Sequence, residues 1–518
     1  MSTSDKKGAA SVFIENFKRI PFSFRDAFSR HDIPPESERE KAAAVFSNFF
    51  LHLHPTRVSS HVVKPTYTLG LGLMCVFLFL ILGVTGVVLM IYYIPHVDGA
   101  YASVKNIRYA VTGGKFVINV HRWSAHGMVL VVLLHMMRVF YTGSYKAPRE
   151  FNWMIGVVLL SLTLALSFTG YLLPYDQLAY WAMTIGANIA GSLTELTDAI
   201  GVTKFFDPGK LQKQLIIGGN TIGEPSLIRF YFLHVIFLPI VISIFIGVHL
   251  WRITKDGGLS KPLDNKQFTE SVNPDDEKSP NPDKTYGLMS LIRGNTPQVG
   301  NYSDDTVPTW PNVLLAEGAV FIFCLAAMSL LSLFFDAPLK ELANPSVPEN
   351  PAKAPWYFLG LQELVSYSAF VGGILVPSIT VLGLMLIPFL DRELHDVGVW
   401  FSGSKGISVV KRSAAYGFFS LVVLIAFTIK FGWLRSWFPG VPQIVIIAIN
   451  PATVIIGLFA LWYFKILKET GSMRLASIAA FTLFVIGFAV LTYVGTFLRG
   501  PNWEFFWLQS QWPGIHFD

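Results

Sequence analysis

Long apolar runs broken by short polar connections fill most of this chain. A helix needs about 20 predominantly apolar residues to cross a bilayer, and nine stretches qualify: 67–93, 118–141, 154–173, 230–250, 313–335, 371–390, 414–431, 444–464 and 475–497. The eighth is interrupted by Asn450 and Pro451. Between the third and fourth runs, 178–199 has an amphipathic pattern suited to a helix lying flat on the membrane surface. The expected fold is all-α, a polytopic membrane protein of about nine transmembrane helices, with no sequence repeat of fixed period.

The polar segments set the expected domain limits. Residues 1–60 mix Phe with Lys and Arg and contain no run long enough to span, so they read as interfacial helices on the inner surface. No apolar core follows the basic start, and a cleaved signal peptide is not expected. The 256–310 stretch is rich in Pro, Asn, Asp and Lys without apolar periodicity and reads as a cytoplasmic linker. It separates a segment at 61–255 from one at 311–435, leaving 436–518 for the last two spans and a tail on the outer side.

Composition agrees, because 52% hydrophobic against 14% charged residues lies outside the usual soluble range. Lys and Arg gather in the N-terminal region, at Lys146 and Arg149, and over 252–293, 405–412 and 465–474. All of these fall on one side if the N-terminus is cytoplasmic, and the C-terminus then lies outside. The formal charge of +6 is thereby a topology signal that calls for no nucleic acid. Cys75 and Cys324 sit in apolar spans and no Cys-x-x-Cys-His occurs, which excludes disulfides and c-type haem attachment through that motif.

Four histidines carry the candidate chemistry. His121 and His135 are 14 residues apart in the second run, and His234 and His249 are 15 apart in the fourth. At about 1.5 Å and 100° per residue, each pair lies on roughly one face, with its members about 20 Å apart along the axis. Two such helices side by side would clamp two stacked haems, each iron taking one imidazole from each helix, and bis-histidine ligation suits electron transfer rather than oxygen binding. A lone membrane histidine can simply bridge to a neighbouring helix; two matched pairs at haem-stacking separation point to function. His126, about 140° around the helix from His121, reads as a packing or polar-contact residue.

At His121-Arg122-Trp123-Ser124-Ala125, Leu134-His135-Met136-Met137-Arg138 and Tyr145-Lys146-Ala147-Pro148-Arg149-Glu150, the chain resembles the cytochrome b subunit of quinol:cytochrome c/plastocyanin oxidoreductases. The likeness continues through Thr169-Gly170-Tyr171-Leu172-Leu173-Pro174-Tyr175-Asp176-Gln177 and Arg229-Phe230-Tyr231-Phe232-Leu233-His234. A region similar to the chloroplast subunit IV follows, at Trp310-Pro311-Asn312 and Pro355-Trp356-Tyr357-Phe358. The step from His234 to His249 looks like the chloroplast type, in which the two halves are separate chains; here they look fused.

The resemblance implies a four-helix haem-binding bundle with two non-covalent b haems. His121 and His234 would hold the one nearer the outer side, His135 and His249 the inner one. Arg122 and Arg138 resemble arginines that neutralise haem propionates. Gly86 and Gly170, and behind them Gly70, Gly83 and Gly156, would leave room for a macrocycle between helices. The family's additional c-type haem hangs on a cysteine whose position here is Gly70, with Cys75 five residues on, so no covalent haem is expected.

It also implies a quinol-oxidising pocket on the outer side, roofed by the surface helix and walled by Pro355, Trp356 and Tyr357. The family usually has Pro-Glu-Trp-Tyr, whereas this chain reads Ala354-Pro355-Trp356-Tyr357. The missing carboxylate leaves Glu363 as first candidate for the proton acceptor and Asp176 as second. An inner quinone would meet Arg252, Lys255 and Asp256.

The expected function is the dihaem core of a proton-motive quinol oxidoreductase in a bacterial or other energy-transducing inner membrane. Quinol would send one electron to a Rieske iron-sulfur protein and the other across two b haems to an inner quinone. A c-type cytochrome subunit or soluble acceptor, membrane lipid and a second copy in a homodimer would complete the assembly, since the chain has neither iron-sulfur ligands nor c-haem motifs. The rival is a dihaem membrane anchor of another quinone-linked dehydrogenase or reductase, which needs fewer spans and no two-lobed pocket. A transporter would show repeated halves and broken spans, and a haem-copper oxidase adjacent copper-binding histidines. The last two spans and tail lie beyond the chloroplast subunit and read only as a docking surface for an accessory subunit.

Overall fold

A computed structural model describes residue 18 and residues 37–47, 54–262, 306–393 and 396–513. The chain divides into two compact units, 1–69 with 293–320 and 70–292 with 321–518. In the first, a helix at Glu38–Ser47 accompanies a short antiparallel pair, Arg57–Ser59 against Thr306–Pro308, with Val58 opposite Val307. Most of the interfacial segment expected at 1–60, and the linker over 263–305, lie outside the described residues.

Nine helices among the described residues are long and apolar enough to cross a membrane: Leu71–Tyr92, Gly114–Tyr141, Glu150–Tyr171, Glu224–Lys255, Thr309–Phe334, Val371–Leu390, Trp400–Trp437, Pro451–Thr470 and Met473–Leu498. The protein is an all-α polytopic membrane protein. The eighth helix starts where the sequence was read as interrupted. Asn450 accepts hydrogen bonds from the Ala452 and Thr453 N–H groups as its N-cap, and Pro451 sets the first turn. The apolar residues before it belong to a separate short helix, Gln443–Ala448. In the fourth span, Pro239 has no N–H to give, and a widened π turn at Leu233–Phe237 carries the chain past it. His234 sits in that turn.

The core of the second unit joins the second, third, sixth, seventh, eighth and ninth spans around Phe140, Trp153, Leu384, Val409, Ile466 and Phe481. Phe140 and Phe481 stack at 4.0 Å. Half of the most apolar stretch of the ninth span is buried, against 11% for the first, so the ninth is an interior element. At its start the fully buried Arg474 donates to the Phe140 and Tyr141 carbonyls, Tyr145 Oη and Ser402 Oγ. Beside it Lys146 pairs with Asp391 at 3.2 Å; burial pulls this ammonium below its ordinary value and Asp391 pushes it back.

Candidate functional site

The second and fourth spans face one another through their histidines. The His121 and His234 rings lie 6.2 Å apart between centroids, at 80° to each other, and the same two spans carry His135 and His249. Metal–imidazole bonds of about 2 Å, plus about 1 Å from nitrogen to ring centre on each side, set two axial imidazoles about 6 Å apart. The observed separation admits one iron. No group of three or more His, Cys, Asp or Glu side chains converges among the described residues, so a metal held by two imidazoles would bring its in-plane ligands with it, as a haem does.

Each imidazole lies against a glycine. A Cβ built on Gly86 would come 3.3 Å from His121 Cε1, on Gly72 3.3 Å from His135 Cε1, on Gly156 3.7 Å from His249 Cε1 and on Gly170 2.4 Å from His234 Cε1. Hydrogen bonds fix the tautomers of His121 and His234. Thr85 Oγ1 donates to the Ile81 carbonyl and therefore accepts from His121 Nδ1–H at 2.9 Å, and the Leu166 carbonyl accepts from His234 Nδ1–H at 3.0 Å. Both Nε2 lone pairs are left for a metal. Arg122 packs its guanidinium 5.1 Å from the Tyr171 ring centre, and its buried Nε has no hydrogen-bond partner among the described residues, as a site for a carboxylate requires. Arg138 is buried near the C-terminal end of the second span. These residues fit a haem.

A cavity of about 310 Å³ opens between the third span, the surface helix Gln177–Gly191 and the helix Trp356–Tyr367, called here the wall helix. Phe168, Tyr171, Ala182, Ile189, Pro355 and Phe358 supply most of an apolar lining. Two of its polar side chains are committed elsewhere. Gln362 accepts from the Ala354 N–H and donates to the Ala352 carbonyl, and Lys353 donates to the Thr496 carbonyl at 2.8 Å; burial holds the Lys353 ammonium below its ordinary value. Behind the wall, Trp356 Nε1 donates to His126 Nδ1 at 3.1 Å, and Tyr357 shares a hydrogen bond with Ser167.

At the C-terminal end of the fourth span, Arg252 and Asp256 pair at 2.6 Å. Lys255 stands apart, 4.7 Å from the Trp251 ring centre.

The family described as cytochrome b (N-terminal)/b6/petB matches residues 126–345. Cytochrome b6 of Heliobacterium mobile is 45% identical over 210 residues, 40% of this chain and 91% of that protein. Cytochrome b6 of Synechococcus elongatus is 39% identical over 211 residues, again 40% and 91%. The chain belongs to the cytochrome b/b6 family. Among solved structures, a chain of a hyperthermophilic respiratory Complex III has the same fold, with a TM-score of 0.55 and 23% identity over 85% of this chain and 94% of that one. As a family member the chain is the cytochrome b core subunit of a quinol:cytochrome c/plastocyanin-type oxidoreductase, binds haem b, and is a multi-pass protein of an energy-transducing membrane.

Several expected site residues stand elsewhere than a cytochrome b pattern suggested. Pro355 lines the cavity, but Trp356 and Tyr357 turn to the second and third spans. Glu363 is no free proton acceptor. It is fully buried, and its oxygens accept from Arg499 Nη2 at 2.5 Å, Arg499 Nε at 3.0 Å, Tyr367 Oη at 2.9 Å and Trp503 Nε1 at 3.0 Å. Asp176 is the N-cap of the surface helix. Its oxygens accept from the Ala179 and Lys340 N–H groups, which pull its carboxyl down while burial, the larger effect, raises it. Neither carboxylate lines the cavity.

Gly70 caps the first span with φ 62°, and a Cβ on Gly83 would meet nothing within 4 Å. The glycine behind His135 is Gly72, which the sequence reading passed over. The signal was present: Gly72 and Gly86 are 14 apart, as are Gly156 and Gly170, matching His121 and His135. Thr85 and Thr169 were legible in the same way, each standing directly before a ring-backing glycine; Thr169 Oγ1 lies 3.3 Å from His234 Nδ1. Arg499 had no local signal, because its partner is 136 residues away.

Proposed function

We propose that the chain holds two non-covalent b haems, one between His121 and His234 and one between His135 and His249, and that quinol is oxidised in the cavity beside the surface helix. When bound, the haems would supply one-electron carriers, so that one electron of quinol could go to a Rieske iron-sulfur partner and the other towards an inner quinone. The observation that carries this reading is the cavity's place. Tyr171 and Phe168 in its lining lie within one turn of Gly170, which backs His234.

The chain's own residues bind and orient. The apolar lining excludes water, Arg122 and Arg138 offset propionate charge, and the Trp356–His126 and Tyr357–Ser167 bonds fix the wall helix against the bundle. With Glu363 saturated by four donors and Asp176 outside the cavity lining, the quinol proton leaves through water or a histidine of the Rieske partner. Arg252 Nε and Asp256 Oδ2 are buried with no partner among the described residues, which suits hydrogen bonds to an inner quinone, with Lys255 beside them. Residues 61–255 act as the haem-binding half and 311–435 as the subunit-IV-like half, with the N-terminus cytoplasmic and the C-terminus outside. A c-type cytochrome, lipid and a second copy complete the assembly.

Ala182 lines the cavity on the surface-helix side. In Ala182→Trp the indole occupies the substrate's space, and quinol oxidation by the purified complex falls on the order of a hundredfold while the haem spectra stay unchanged. A wild-type rate contradicts the cavity assignment.

A further inference from the structure

The wall helix has two faces with different partners. Phe358, Leu361, Gln362 and Val365 face the cavity, whereas Glu363 points to the ninth span and the tail beyond it. There the carboxylate takes two hydrogen bonds from Arg499 and one from Trp503. Arg499 is itself held from the other side, since Nη1 donates to the Trp503 carbonyl at 2.8 Å and the tail closes on itself through Gly500 N–H to Glu504 O and Phe506 N–H to Leu498 O. The segment leading into the wall helix is tied to the same element. Lys353 Nζ donates to Thr496 O, and the Asn350 and Asn502 side chains bond at 2.8 Å. Packing is close as well: a Cβ on Gly495 would come 3.1 Å from the Leu359 carbonyl oxygen, and one on Gly360 3.1 Å from Thr492 Oγ1.

We propose that Arg499, acting through the Glu363 carboxylate, is a positioning residue for quinol, and that the ninth span and its tail are a strut built into this chain for the cavity wall. A buried ion pair is a weak device for stability, because an apolar pair of similar volume is often as good. What it does fix is register, since charge-assisted, multiply bonded geometry permits one alignment of the two elements where apolar packing permits several. Here the element so aligned carries one wall of the cavity, one residue away from Gln362. The proposal rests on the reading of that cavity as the quinol site.

The test uses the assembled complex with haem content measured in every variant. Arg499→Lys, Arg499→Met and the paired apolar replacement Glu363→Leu/Arg499→Met are compared with the cavity-filling Ala182→Trp. The expected result is a quinol KM raised about tenfold in Arg499→Met and in the paired variant, with kcat little changed, full haem content and partial recovery in Arg499→Lys. If Arg499→Met, which leaves a buried carboxylate without its counter-charge, fails to assemble, the paired variant decides. A wild-type KM in the haem-replete paired variant overturns the proposal, as does failure of that variant to hold haem, which would make the ion pair a folding element alone. If Ala182→Trp itself oxidises quinol normally, the cavity reading fails and this proposal with it. Inhibition by Ala182→Trp with a normal KM in the Arg499 variants removes the positioning role only.

Discussion

At His234 the imidazole, the glycine behind it and the carbonyl that orients it come from two spans, yet each has a mark in the sequence. Helix geometry alone pairs His121 with His135 and His234 with His249, because a fixed rise and rotation convert spacing into position. The same arithmetic identifies Gly72 once the histidine spacing is applied to glycines. It fails for Glu363, whose partners Arg499 and Trp503 lie in a tail that no periodicity links to the wall helix. In Gly170→Ala the new Cβ stands 2.4 Å from His234 Cε1, far inside ordinary carbon contact of about 3.5–4 Å. Haem affinity at the His121–His234 position is expected to fall about tenfold or more, read from reduced-minus-oxidised spectra. Gly83→Ala, where nothing lies within 4 Å, should leave both haems in place. Equal haem content in the two variants would refute the close-packed cradle.

The spans were legible because apolar length is a strong signal in lipid, and what the pattern misjudged was ends and depth. In the sequence Asn450-Pro451 reads as a break because it is polar, although Asn at the N-cap followed by Pro is a start signal. From sequence the ninth span reads only as a docking surface for an accessory subunit, because an apolar pattern does not say whether lipid or protein covers it. Arg474 gives that element a measurable weight. Replacing it with Leu leaves the Phe140 and Tyr141 carbonyls and Tyr145 without their buried donor, which costs about 3 kcal/mol. The melting temperature of the detergent-solubilised complex should drop by several degrees in Arg474→Leu, roughly as that energy implies. An unchanged melting temperature would mean that the ninth span is held by apolar packing alone.

For the whole molecule, similarity and geometry cover different ground. The b6 relatives align with 40% of the chain and the family match over 126–345 takes in His135, His234 and His249, while the wall helix, the ninth span and the tail are placed by the fold. The family was readable from motifs around His121, His135 and His234; the strut was not, since it depends on contacts between residues more than a hundred positions apart. The proposed function depends above all on two haems held by two histidine pairs. A redox titration of the purified complex, followed at the b-haem absorbance, examines this directly in the wild type and in His121→Ala and His126→Ala. Two b-type transitions are expected in the wild type and in His126→Ala, with one lost or converted in His121→Ala. Loss of a haem in His126→Ala with both retained in His121→Ala would contradict the ligand assignment.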